Sequence, residues 1–219
     1  VAEVLIRLAG CHLKQDDCAR AQALYERAQD ICEAHYGAEH PAMAQCFDHL
    51  AELHREQGHY PQAHHLLKLA LAIYEKSWGE EHPAVARALN NIAAIHVDRG
   101  QHGEAVRLYL QSLIVSEAAL GEEHPAVVHC LENLAWAHLR QGLQQEAEPL
   151  FRRALGIASR LWGDEHPETI HRVQTLAAFY ANREQFAQAE PLYRQALSRQ
   201  EQLLGGEHPE LAPLLSSLA

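Results

Sequence analysis

The chain has 219 residues, 47 % of them apolar and 21 % charged, so it can bury a substantial core and is not disordered by composition. Its 29 acidic and 18 basic residues give a formal charge of −11, which argues against nucleic acid or an anionic membrane as the main partner. No apolar run reaches the ~18 residues of a spanning helix, and no secretory leader pattern opens the chain.

Read from the N-terminus, the chain repeats one phrase. It begins at Val1 inside a helical pattern and reads as part of a longer polypeptide. Residues 1–36 hold a first unit with a truncated start. Gly then recurs at 37, 79, 121, 163 and 205, and Glu-His-Pro at 39–41, 81–83, 123–125, 165–167 and 207–209. The period of 42 residues, as between Gly37 and Gly79, holds without insertion or deletion. Ala9, Ala51, Ala93, Ala135 and Ala177 share it, as do Ala21, Ala63, Ala105, Ala147 and Ala189. Tyr25, Leu67, Tyr109, Phe151 and Tyr193 follow the latter set by four residues. The units are therefore 37–78, 79–120, 121–162 and 163–204, and 205–219 is expected to be the first helix of a further repeat or a cap.

Each unit predicts two helices. In 37–78, Phe47, Leu50, Ala51 and His54 form one helical stripe, Gly58 breaks it, and Ala63, Leu67, Ala70, Leu71 and Tyr74 form a second. Gly79 is placed to end the second helix and Pro83 to begin the next. The first helix of each pair (A) should run about 16 residues, or roughly 24 Å. Neither helix can bury its stripe alone, so neighbours must stack into a one-dimensional core. His40, His82, His124, His166 and His208 precede Pro, where the backbone is extended, and are expected to fix the linker by hydrogen bonding and packing.

Catalytic and metal signatures are not found. The histidines, 17 in all, include no pair at i, i+3 or i, i+4 on one helix, and there is no HExxH, phosphate-cradling glycine loop or nucleophile elbow. No enzyme activity, cofactor or metal is assigned. Cys11, Cys18, Cys32, Cys46 and Cys130 form no CxxC and suit reduced packing thiols in a cytoplasmic protein.

Leu50-Ala51-x-x-His54, Ala63-x-x-x-Leu67 and Ala70 resemble the tetratricopeptide repeat, and the period, with "LNNIAAI", "GEEHPAVA" and "QAEPLYRQAL", is similar to the long variant of kinesin light chains. The resemblance covers essentially the whole chain. It implies an all-α solenoid, a right-handed superhelix of antiparallel helix pairs whose A helices line a concave groove for a partner protein or peptide. His12, His54, His96 and His138 stand where the family has Tyr, which Tyr180 keeps. Glu184 replaces the turn glycine of Gly58, Gly100 and Gly142, so that turn is expected to differ.

Helical angles place Gln45, His49, Glu52 and Glu56 opposite the core stripe. The matching sets are Arg87, Asn91, Ala94 and Asp98; His129, Asn133, Trp136 and Arg140; and His171, Thr175, Ala178 and Asn182. Arg87/Asn91 and His129/Asn133 stack at i, i+4, and an Asn side chain can both donate to and accept from a peptide backbone. Trp136, flanked by the smaller Ala94 and Ala178, makes a wall with pockets beside it. The candidate binding residues are His49, Glu52, Arg87, Asn90, Asn91, His129, Asn133, Trp136, Arg140 and His171. The alternatives to peptide binding are a rigid spacer, a self-associating arm, or a regulatory domain engaged within its own polypeptide.

Overall fold

Helix pairs follow one another along the chain in the computed structural model, which describes residues 1–15, 17–205, 208 and 211. Ten helices run in order among these residues: α1 (Ala2–Leu13), α2 (Cys18–Tyr36), α3 (Pro41–Glu56), α4 (Tyr60–Trp78), α5 (Pro83–Asp98), α6 (His102–Leu120), α7 (Pro125–Arg140), α8 (Gln144–Trp162), α9 (Pro167–Ala181) and α10 (Phe186–Leu204). Apart from His208 and Leu211, the expected segment after Gly205 lies outside the described residues. The chain divides into two compact units, Val1–Ala119 and Leu120–Ala219. In the first, α1 packs on α2, α2 on α3, α3 on α4 and α4 on α5. The Ser112 hydroxyl of α6 donates to the Ala86 carbonyl of α5 at 2.7 Å. In the second, α7 packs on α8, α8 on α9 and α9 on α10.

Small residues let the paired helices approach. Ala135 with Ala147 and Ala177 with Ala189 share one buried cluster in the second unit, and Ala9 with Ala21 share one in the first. The position one helical turn beyond the second alanine of each pair is filled by Tyr25, Leu67, Tyr109, Phe151 and Tyr193, all buried. A well-packed interior of this kind rejects added volume at the alanines and loses contacts if the aromatics shrink.

The His-Pro linker is built as a cap. His40, His82, His124 and His166 hold extended backbone, and each Nδ1 accepts from the N–H two residues on: Ala42 (3.1 Å), Ala84 (3.2 Å), Ala126 (3.1 Å) and Glu168 (3.2 Å). This satisfies one of the free N–H groups at each A-helix start and fixes the tautomer, since an acceptor Nδ1 carries no proton. Three of the rings also pack on the aromatic four residues earlier: His40 on Tyr36 (4.6 Å), His82 on Trp78 (4.3 Å) and His166 on Trp162 (5.7 Å).

The turn between A and B helices repeats as well. Gly58, Gly100 and Gly142 have φ of 75°, 72° and 77°. The next N–H closes back over the turn, as from His59 to the His54 carbonyl at 2.7 Å and from Gln101 to that of His96 at 2.8 Å. The fourth turn was expected to differ and does not. Glu184 takes φ 59°, and Gln185 N–H reaches the Tyr180 carbonyl at 3.0 Å. The motif is kept by forcing a side-chain-bearing residue into the left-handed region.

Candidate protein-binding faces

Each unit carries its own set of outward A-helix residues. In the first, Gln45, Glu52 and Glu56 of α3 are exposed and His49 is half-buried. The His49 ring lies flat against Tyr25 of α2, centroids 5.6 Å apart and planes 5° from parallel. Burial holds the His49 imidazole below its ordinary value, with Glu52 opposing and Arg87 adding to the effect. The Tyr25 hydroxyl is pushed up to about 12, by burial first and then by Glu52 and Glu56.

Arg87, on α5, is anchored from below. Its guanidinium donates to Asp48 Oδ2 at 2.9 Å and to the Tyr74 hydroxyl at 3.0 Å, while Tyr74 donates to the same Asp48 oxygen at 2.8 Å. Asp48 is only 7 % exposed, whereas the Arg87 side chain keeps 54 % of its surface. The arginine therefore offers a positioned cation at the face with its partner sunk beneath it. Burial raises the Asp48 carboxyl above the usual carboxylate range, and Arg87 and Tyr74 work against that. Asn90 and Asn91 are half-buried beside it, and Asp98, further along α5, pairs with Arg55 of α3 at 3.0 Å.

In the second unit, Asn133 is half-buried and Arg140 exposed on α7. Trp136 between them is 42 % exposed. Its indole meets the buried Phe151 ring edge-on, at 5.2 Å and 75°, and Phe151 continues to Phe179 at 5.5 Å. The indole is thus fixed on one side by the core and open on the other. Its counterpart on α9, Ala178, is half-buried. His129 and His171 are exposed residues, yet loss of hydration holds both rings below the ordinary imidazole value, with Arg172 adding repulsion and Glu168 opposing.

Polar groups beneath the faces escaped sequence reasoning. Arg172, 5 % exposed, pairs with Glu132 at 3.1 Å and with Glu168 at 2.6 Å. Asp48, Asn90, Glu132 and Gln174 occupy one repeat position, and a polar residue recurring next to the core stripe was the available signal. Tyr180 donates to Glu148 at 3.0 Å, while the histidines at its position differ: His96 contacts Gln101 at 2.7 Å, and His12, His54 and His138 each bury an Nδ1 that makes no hydrogen bond. Among the described residues, no cluster of three or more His, Cys, Asp or Glu is arranged to hold a metal ion, and no helix is long and apolar enough to cross a membrane.

Stacked helix pairs carrying polar and aromatic side chains on their outward A-helix faces define a protein-interaction repeat module, an all-α solenoid. The chain belongs to the tetratricopeptide repeat family: one family model matches residues 1–76 and 79–160, and a second matches residues 170–210. Among solved structures it is similar to the kinesin-light-chain TPR-like repeats of Podosopora anserina, with 26 % identity, a TM-score of 0.77, and 92 % of this chain and 95 % of that one covered. It is similar to BtubC (BKLC) from P. vanneervenii, with 25 % identity, a TM-score of 0.80, and coverage of 94 % and 82 %. A Rap protein complexed with competence and sporulation factor shares the fold at 16 % identity, a TM-score of 0.73, and coverage of 97 % and 61 %. Comparison with curated protein sequences gives no match.

Proposed function

We propose that the chain binds an extended or helical segment of a partner protein through its A-helix faces, without catalysis. The observation that carries this reading is Trp136: a large indole, 42 % exposed, anchored edge-on to the buried Phe151. A rigid aromatic of this kind loses little entropy on binding and provides the anchor expected at a binding hot spot. Asn133 and Arg140, one turn to either side, supply hydrogen bonds to a peptide backbone and a cation that makes no ion pair among the described residues. His129 and His171 add neutral donors and acceptors on the same face. On the first unit, Arg87 contributes a positioned cation beside Asn90 and Asn91, with His49 and Glu52 on the neighbouring helix.

A displayed-peptide selection against the immobilised chain tests the reading. Peptides enriched on the native protein should lose about tenfold or more in affinity on Trp136→Ala, roughly 1.4 kcal/mol or beyond. Equal enrichment on native and variant protein refutes the assignment of Trp136. No enrichment on either favours the spacer or intramolecular reading.

A further inference from the structure

Two thiols face each other inside the first unit. Cys32 of α2 and Cys46 of α3 are 2 % and 0 % exposed, and the Cys46 thiol donates to the Cys32 sulfur at 3.7 Å. Their surroundings are apolar. Ala28 and Met43 share the buried cluster, and Leu5, Ile6, Phe47 and Ile73 pack against it. No further cysteine belongs to this cluster, and among the described residues the two sulfurs have no third metal-ligating neighbour.

Packing alone does not call for thiols here. The repeat position of Cys32 holds Ala158 in α8, and that of Cys46 holds Ala88 in α5, both fully buried. Cysteine fills both positions together only at this junction. The corresponding residues further along are Tyr74 and Ala88, Ser116 and Cys130, and Ala158 and Arg172.

We propose that Cys32 and Cys46 are a redox pair, closed by a peroxide into a disulfide that locks α2 to α3. Two thiols and one hydrogen peroxide give one disulfide and two waters. One sulfur attacks a peroxide oxygen: an S–O bond forms, the O–O bond breaks, and the first water leaves. The other sulfur attacks the resulting sulfenic acid: the S–S bond forms, the S–O bond breaks, and the second water leaves. The sulfurs lose two electrons and the peroxide oxygens gain them. Closure brings the sulfurs from 3.7 Å to about 2.05 Å, and each hangs on one rotatable Cα–Cβ bond. Burial shuts out bulky reagents, whereas hydrogen peroxide is close to water in size and enters when the helix contact opens locally. Burial also selects the product, because the sulfenic acid meets the neighbouring thiol before it meets a second peroxide. The two residues stand 14 apart in sequence, across the linker that His40 caps, and α3 carries His49, Glu52 and the Asp48 beneath Arg87. Oxidation thus fixes the helix that supports the first unit's outward face. The proposal does not rest on the peptide-binding reading.

The test treats the whole chain with hydrogen peroxide beside Cys32→Ala and Cys46→Ala, which place at each position the residue that another repeat buries there. Peptide mapping without reductant should find Cys32 joined to Cys46, with a loss of about 2 Da from the two hydrogens removed. The melting temperature of the unsubstituted chain should rise by about 5 °C or more, because a closed loop restricts the unfolded chain, and should return when dithiothreitol reduces the bond. Neither variant should show the rise, which separates this pair from oxidation of the exposed Cys11. If one variant loses helix content, the other carries the comparison, and the peptide map of the unsubstituted chain stands without either. Cys32 and Cys46 still reduced after Cys11 is fully oxidised, sulfinic acid at either in place of the disulfide, a cross-link to a different cysteine, or a disulfide that leaves the melting temperature unchanged would each overturn the proposal.

Discussion

Replacing Glu184 by glycine should stabilise the protein, although Glu184 is exposed and its side chain makes no ion pair or hydrogen bond among the described residues. The residue holds φ 59° to complete a turn that glycine completes at residues 58, 100 and 142. A side chain in the left-handed region costs about 1–2 kcal/mol. Glycine removes that cost but gives up roughly 0.5–1 kcal/mol through the greater freedom of its unfolded chain. The net gain is about 0.5–1 kcal/mol, or roughly 1–4 °C in melting temperature. The mirror substitution closes the comparison. A Cβ at Gly142 meets nothing within 4 Å, so Gly142→Glu tests backbone conformation alone and should lose about what Glu184→Gly gains. Paired thermal and urea melts of the two variants measure both effects. An unchanged or lower midpoint for Glu184→Gly would show that the fourth turn is unstrained, and the reasoning from φ would fail.

Asp48→Ala should cost about 2 kcal/mol, because it leaves the Tyr74 hydroxyl buried without its acceptor; Asp48→Asn, which keeps an acceptor, should cost less, and equal melting temperatures for the two would refute the triad's role. Stability should fall with pH. His49, His54, His64, His129 and His171 are held below the ordinary 6.5, so the unfolded chain takes up protons first, and their contribution is complete above about 6.5 and lost as pH falls through the lower folded values. The buried carboxyls Asp48 and Glu132 are raised and work in the opposite sense, so a melting temperature flat or rising from pH 7.5 to 5.5 would remove the histidine account. Native thiol titration should find Cys11 reactive and Cys32, Cys46 and Cys130 protected, Cys46 doubly so because burial and the neighbouring Cys32 push its thiol up to about 12; fast labelling of Cys46 would show that α2 and α3 separate readily.

The parts of the fold legible in the sequence are those each repeat must solve in the same way. A fixed period exposes positions whose role never changes: the alanines that let paired helices touch, the histidine that caps, the proline that starts. The i−4 aromatics Tyr36, Trp78 and Trp162 belong to the same class and were missed because Leu120 breaks their series. Glu184 misled for the opposite reason. A changed residue suggested a changed turn, but the hydrogen bonds on either side of it over-determine the backbone, and Glu184 is held at φ 59° in the left-handed region. For the supports beneath the candidate faces, the sequence offered a recurring polar position at 48, 90, 132 and 174 but not its partners, because the arginines that meet it come from neighbouring repeats and stand at different repeat positions.

Two ion pairs show how such contacts shape the outward faces. Asp48 and Glu132 hold the same repeat position, and each ties its A helix to the next, α3 to α5 and α7 to α9. Their arginines do not correspond. Arg87 matches His171 in α9, and Arg172 matches Ala88 in α5. The shorter Asp48 is met by an arginine that stays at the surface, its side chain 54 % exposed; the longer Glu132 is met by one drawn inside, 5 % exposed. One structural need is thus filled in two registers, and each choice writes a different residue on the outward face: a cation at 87, an imidazole at 171. Under the proposed function, Arg87 serves folding and recognition together, whereas Arg172 serves folding alone. A substitution at Arg87 should change both melting temperature and partner affinity, while one at Arg172 should lower the melting temperature and leave the affinity of the surviving folded fraction unchanged.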